Sequence, residues 1–407
     1  MLFQCPDPLP PNDSGRANNR RELKLVHALV DKAELDKALT LAAQVVRHTS
    51  PLPILKNLLL RASADGLRIT GTNLDATIHV EVPCDCLESG SCTVPAKTLV
   101  AMVAKLPGGT VGIDSAEPGR VLFKYGAKGK FELPALPSEE FPNLDQFEHD
   151  SLIDSKVLAE MIQATAFCTA GKDTSRAAMK GLRIRANGGL LEFAGTDGHR
   201  MIFAAQVSER CPDFKLVAPR DELSQLAKLI RAEQDPVSAY FSENRVSFRS
   251  GPVSFSFQLI EEGFPNVEGV RPKENAFTRS AVVSLDMFTG AVARMLVVAD
   301  EKQSPNLLVF EFSKEDLTVT VSANTPDVGT GTESMALESM DGDSIRIAFN
   351  GGFMTDFLRG VHSDQLEISM QSDDRSARFR PFPLDPAGLT LEYVQMPVRL
   401  REVEVAE

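Results

Sequence analysis

Leu58-Leu59-Leu60-Arg61-Ala62 runs through Asp65-Gly66 into Leu67-Arg68-Ile69-Thr70-Gly71-Thr72-Asn73, and the same pattern returns twice more in the chain. Leu182-Arg183-Ile184-Arg185-Ala186 passes Gly188-Gly189 and continues as Leu190-Leu191-Glu192-Phe193-Ala194-Gly195-Thr196-Asp197. Leu308-Val309-Phe310-Glu311-Phe312 passes Lys314-Glu315-Asp316 and continues as Leu317-Thr318-Val319-Thr320-Val321. Each reads as two alternating strands around a polar or glycine turn, which is a β-hairpin. Thr72, Thr196 and Asn324 mark a period of roughly 125 residues, too long for a solenoid and long enough for a whole domain. Phe141-Pro142-Asn143 returns as Phe264-Pro265-Asn266 at nearly the same offset, so two independent signals set one register. The chain reads as an internal triplication.

Working outward from the hairpins, 31–47, 154–170 and 284–300 carry apolar residues at helical spacing, as in Leu35, Leu39, Ala42 and Val46. They open on Asp31, Asp154 and Ser284, residue types that accept the orphan N–H groups of a helix start. A second helix per unit is expected in 94–108, 219–232 and 349–363. The fold class that follows is α+β: three similar domains, each with two helices packed on antiparallel sheets. Their expected limits are 24–149, 150–277 and 278–400, with 1–23 a flexible N-terminal extension and 401–407 a C-terminal one.

The 407 residues are 43% hydrophobic and 24% charged, the balance of a folded soluble protein. No apolar run approaches the ~18 residues of a membrane span, and the first 23 residues hold no apolar stretch of secretory type, so a cytoplasmic protein is expected. Six cysteines are too few for a disulfide scaffold; Cys84, Cys86 and Cys92 are spaced unlike a zinc site, and neither metal nor cofactor is expected. A net charge of −13 argues against a general nucleic-acid binder, so any contact with DNA must come from local charge placement. The six helical segments supply it: Lys32, Lys37, Arg47, Lys97, Lys105, Lys156, Arg220, Lys228, Arg231, Arg294 and Arg359 about balance their acids, and the acidic excess lies elsewhere. Mixed charge is also what any solvated helix face carries. Asp197 and His199 beside a Ser or Cys could start a hydrolase site, but the chain has no nucleophile elbow, phosphate-binding glycine loop or metal-spaced His pair.

Ser50-Pro51-Leu52-Pro53-Ile54-Leu55, Gly195-Thr196-Asp197-Gly198-His199-Arg200 and Tyr393-Val394-Gln395-Met396-Pro397-Val398-Arg399-Leu400 stand in the order found in one family. With Val94-Pro95-Ala96-Lys97, Asp173-Thr174-Ser175-Arg176 and the two Phe-Pro-Asn segments, the chain from about Leu25 to Leu400 resembles the bacterial DNA polymerase sliding clamp, the β subunit of the replicative polymerase III holoenzyme. The resemblance implies a head-to-tail homodimer, a ring of six similar domains with helices lining the hole. Twelve helices at about 10 Å spacing give a circumference near 120 Å and a hole of roughly 25 to 30 Å, wide enough for hydrated duplex. It implies a non-enzymatic processivity factor for DNA replication, with weak, non-sequence-specific phosphate contacts from Lys32, Lys37, Arg47, Lys97, Lys105, Lys156, Arg176, Arg220, Lys228 and Arg231. A clamp-like peptide-binding scaffold that does not encircle DNA is the alternative.

The resemblance also implies partners: the polymerase catalytic subunit, the clamp loader, and repair polymerases and mismatch-repair proteins, each inserting a short peptide between the second and third domains. The second-domain wall falls on Met179, Thr196, Gly198, His199, Arg200, Met201, Pro265 and Val270. The third-domain wall falls on Asn350, Phe353, Ser376, Val394, Met396, Pro397, Val398, Arg399 and Leu400. Met and small aliphatic residues suit a groove that accepts several peptides, with Arg200 and Arg399 expected to hold polar groups at its margin. Many relatives carry a basic residue where this chain has Gly269, and the chain continues past the Arg-Leu pair where the family commonly ends. The dimer contact is expected between Val297 and Val298 of one copy and Phe131 and Leu133 of another, although a core helix would also want the two valines.

Overall fold

The computed structural model describes residues 26–399, apart from 116, 118, 145–146, 209–210, 231–235, 300–305, 327 and 385–387. Arg231, Leu400 and both terminal extensions lie outside the described residues. All three hairpins form: Asn57–Ser63 with Gly66–Thr72, Gly181–Asn187 with Leu190–Thr196, and Leu307–Ser313 with Thr318–Thr325. In the second, Gly188 and Gly189 both have positive φ, as the two-residue turn of right-twisted strands demands.

Among the described residues, six helices of two turns or more accompany them: α1 Lys32–Ala42, α2 Ala96–Val103, α3 Ser155–Thr165, α4 Arg220–Ile230, α5 Leu285–Leu296 and α6 Gly351–Leu358. The three caps read in the sequence are made. Asp31 accepts from Ala33 N and Glu34 N, Asp154 from Val157 N, and Ser284 from Met287 N. Each of these three helices stops short of its expected end. In α3, Thr165 turns its hydroxyl back on Met161 O at 2.7 Å, and α5 ends before the β-branched pair Val297-Val298.

The chain divides into two compact units, Met1–Ile69 with Glu81–Phe141, and Thr70–Val80 with Pro142–Glu407. The first contains the sheet Asp85–Glu88, His27–Asp31, Thr110–Asp114, Arg120–Tyr125, Gly129–Pro134, in that spatial order. Helices α1 and α2 pack together there, burying Leu35, Leu39, Leu99 and Val103.

The second unit holds two complete repeats because their sheets are fused. Twelve strands run Phe214–Pro219, Gly181–Asn187, Leu190–Thr196, Arg200–Val207, then Thr390–Gln395, Ala377–Phe382, Gln365–Met370, Arg279–Ser284, Gly329–Asp341, Thr318–Thr325, Leu307–Ser313 and Ile345–Asn350. The joint is the antiparallel pairing of Arg200–Val207 with Thr390–Gln395, where Arg200 faces Gln395 and Ala205 faces Thr390. A separate sheet of Ser151–Ile153, Val237–Phe241, Arg245–Ser250 and Val253–Gln258 continues onto the 76–80 stretch, with Val253 opposite Val80.

Candidate peptide-binding groove

The joint brings the loop 196–199 of the second repeat against the last described segment of the third. Thr196 Oγ1 donates to Arg200 O at 2.7 Å and accepts from Gly198 N at 3.1 Å, while Asp197 Oδ1 accepts from His199 N and Arg200 N. Gly198 sits at φ 94°, and a Cβ there would approach Met179 Cε to 3.4 Å. Met396 N donates to His199 O at 3.0 Å and Val398 N to Ala348 O at 2.8 Å, which holds 396–398 between the two repeats.

Arg200 does not stand at the margin. Its side chain is 7% exposed. Nε donates to Asp197 Oδ2 at 2.9 Å, Nη1 to Phe353 O and Asp356 Oδ2 at 3.0 Å each, and Nη2 to Phe167 O at 3.4 Å. The guanidinium also lies 4.2 Å from the Phe353 ring centre. Burial opposes its charge, yet Tyr393 and the Asp197 hydrogen bond hold its pKa above the ordinary arginine value. Arg200, expected to hold polar groups at the margin, is committed within the chain, where it ties the second repeat to α6 of the third.

The third-repeat wall is built from the same hub. Asn350 Oδ1 caps α6 by accepting from Phe353 N at 3.1 Å, and its carbonyl accepts from Gln395 Nε2 at 2.9 Å. Tyr393 Oη lies 3.1 Å from Phe353 O and 3.0 Å from Gln395 Oε1, either of which its hydroxyl can serve. Phe357 stacks on the Tyr393 ring at 4.6 Å, and burial pushes the phenol well up.

Val270 is 65% exposed and Met396 50%, the two apolar side chains of the expected set that face solvent most. Met201, Pro265, Phe353, Pro397 and Val398 are half-buried. Met201 and Phe264 pack on Ala194, Phe203 and Val267. Met179, Thr196 and Val394, expected in the two walls, are buried in the chain by itself. Strand Thr390–Gln395 is central in a sheet covered on both faces, so alternation exposes none of Leu391–Gln395. Ser376 is half-buried, while His199 and Arg399 are exposed. Sequence reasoning gave no role to Phe167, Asp356, Tyr393 or Gln395 as single residues and weighed Asp197 only for a hydrolase site; Asp197, three residues before Arg200, carried the one local signal of the hub.

Of the expected DNA-facing cations, Lys37 on α1, Lys97 on α2, Lys156 on α3 and Lys228 on α4 are exposed. Lys32 is tied to Asp36 at 2.9 Å and Arg220 to Asp221 at 3.1 Å. Arg47 and Lys105 are exposed beyond the ends of their helices, and Arg176 lies in a loop before the turn Ala177–Lys180. At the expected dimer contact, Val297 is 79% exposed and Val298 half-buried. Leu133 is only 7% exposed, and the half-buried Phe131 stacks on Phe123 at 4.8 Å. Leu133 is thus core to its own unit before any partner arrives, so Phe131 and Val297 carry most of the accessible apolar surface of the four.

Comparison with known proteins gives three consecutive matches to the DNA polymerase III beta subunit: its N-terminal domain over residues 26–145, its central domain over 152–266 and its C-terminal domain over 270–399. A beta sliding clamp of Synechocystis is 28% identical over 393 residues, covering 91% of this chain and 98% of its own. The crystal structure of the DNA polymerase III subunit beta from Pseudomonas aeruginosa superposes with a TM-score of 0.84 at 26% identity, covering 92% of this chain and all of the other. A sliding clamp from the same organism, bound to griselimycin, gives 0.84 at 25% identity with the same coverage.

Proposed function

The chain belongs to the DNA polymerase III beta subunit family, and we propose that it works as a sliding clamp whose two copies close around duplex DNA and tether replication and repair proteins. The observation that carries this is the succession of all three family domains in one chain. Its work is binding, not catalysis. Exposed Lys37, Lys97, Lys156 and Lys228 supply loose phosphate contacts that carry no sequence information. Phe131 and Leu133 of one copy meet Val297 and Val298 of the next.

The groove at the joint of the second and third repeats takes a short peptide of the Gln-Leu-x-Leu-Phe kind from the polymerase catalytic subunit, the clamp loader, repair polymerases and mismatch-repair proteins. Val270, Met396 and the half-buried Met201, Phe353 and Val398 offer an adaptable apolar surface for leucine and aromatic anchors. Topology tests the proposal. Chain loaded on nicked circular DNA should remain bound through gel filtration and come off once the circle is linearised. Release that ignores linearisation, with peptide binding intact, would favour a scaffold that does not encircle DNA.

A further inference from the structure

Val270 owes its exposure to a short strap that crosses the fused sheet. Residues Val267–Val270 form a single helical turn: Asn266 Oδ1 accepts from Gly269 N at 3.1 Å, and Val267 is buried against Ala194 and Phe203. A Cβ at position 269 would meet Asn266 Nδ2 at 2.7 Å, so glycine there lets the asparagine close the turn. The strap is staked on both sides of Val270. On one side Glu268 pairs with Arg183, a buried guanidinium with no other carboxylate partner among the described residues, and lies 3.8 Å from Arg185. On the other, Arg271 holds both oxygens of Glu392 at 2.7 and 2.8 Å and lies 4.5 Å from the Phe203 ring centre. Arg183 and Glu392 stand on strands three apart in the sheet, roughly 14 Å at ordinary strand spacing. The two pairs therefore pull the turn in opposite directions across the joint of the repeats.

We propose that Glu268 is a positioning residue for peptide binding: its pair with Arg183, opposed by Arg271–Glu392, fixes the turn so that Val270 stands as a preset wall of the groove. The inference rests on the groove reading above. An exposed apolar side chain on a four-residue turn would otherwise have to be ordered by each incoming peptide, at a cost in affinity. Although burial works against it, the Arg183 hydrogen bond and nearby Arg185 keep Glu268 below the usual carboxylate range, so the tie is charged at neutral pH.

The test is a thermodynamic cycle on the full chain, with a synthetic Gln-Leu-Ser-Leu-Phe peptide as probe and E268A, V270A and the double variant compared with wild type. E268A should bind about five-fold more weakly, chiefly through faster dissociation, and that loss should vanish in the V270A background. Methyl resonances of Val270 should broaden in E268A while those of buried Val267 stay put, which separates loss of position from loss of fold; E268Q, which keeps the shape and drops the charge, replaces E268A if the latter unfolds. Equal losses in both backgrounds, or wild-type affinity in E268A, would overturn the latch and leave the groove standing. A wild-type chain that does not bind the peptide would overturn the groove reading and the latch with it.

Discussion

Arg200 touches four partners from three segments, and its removal leaves Asp197 and Asp356 with no shared counter-charge. Arg200→Met should therefore lower the unfolding free energy by about 3 kcal/mol in urea titrations, the cost of breaking a buried pair from one side. Lysine is a poor substitute, since one ammonium cannot reach a carboxylate, a second carboxylate and two carbonyls in one plane. Met396 and Val394 belong to opposite classes although only one residue separates them. Met396→Ala removes surface from the groove and should weaken the Gln-Leu-x-Leu-Phe peptide by more than about 1 kcal/mol, read by calorimetry, with the dimer unchanged. Val394→Ala opens a cavity in the covered strand, so its main effect should appear as about 2 kcal/mol in urea and much less in the peptide titration.

At the scale of elements, the turn Glu274–Ala276 is joined to strand Ala377–Phe382 by ion pairs from Glu274 to Arg378 and Arg380. The Arg378 hydrogen bond, with help from Arg380, takes Glu274 down to about 2 from 4.5. A carboxylate depressed on folding contributes stability that is complete above its unfolded pKa and lost as pH falls through the folded one. The urea midpoint should therefore drop between pH 4.5 and 2, and Glu274→Gln should flatten part of that slope; an unchanged slope would remove Glu274 from the account. Elements were the most legible scale in the sequence. Alternation around Gly188-Gly189, and Asp31, Asp154 and Ser284 ahead of helical spacing, are local signals, and local hydrogen bonds answer them. Which strand lies beside which is a non-local fact. Arg200 read as a cation at the groove margin, and the burial of Val394 went unread, because nothing within a few residues announces that Arg200–Val207 pairs with Thr390–Gln395 across nearly half the chain. Leu133 shows a related limit: an apolar residue in an edge strand reads the same whether it serves its own sheet, another copy or both.

Assembly is where the whole molecule is tested. Replacing Val297 and Val298 together with Asp would put unpaired charge into the proposed contact, at several kcal/mol, and sedimentation at micromolar concentration should then show monomers where wild type shows dimers. If the closed dimer makes only loose phosphate contacts, affinity for short linear duplex should be weak and should fall steeply with salt; tight, sequence-specific binding would sink the clamp reading. The fused sheet has a consequence for covalent continuity. Along the chain, the second and third repeats meet in the stretch around Pro272 and Lys273, yet six facing residue pairs and the Arg200 tie join them elsewhere. A protease cut there would sever the polypeptide without parting the fragments, and two separately expressed pieces ending and starting at that point should reconstitute each other. The peptide linkage between these repeats is a convenience of synthesis, and the hydrogen-bonded ladder is the hinge pin.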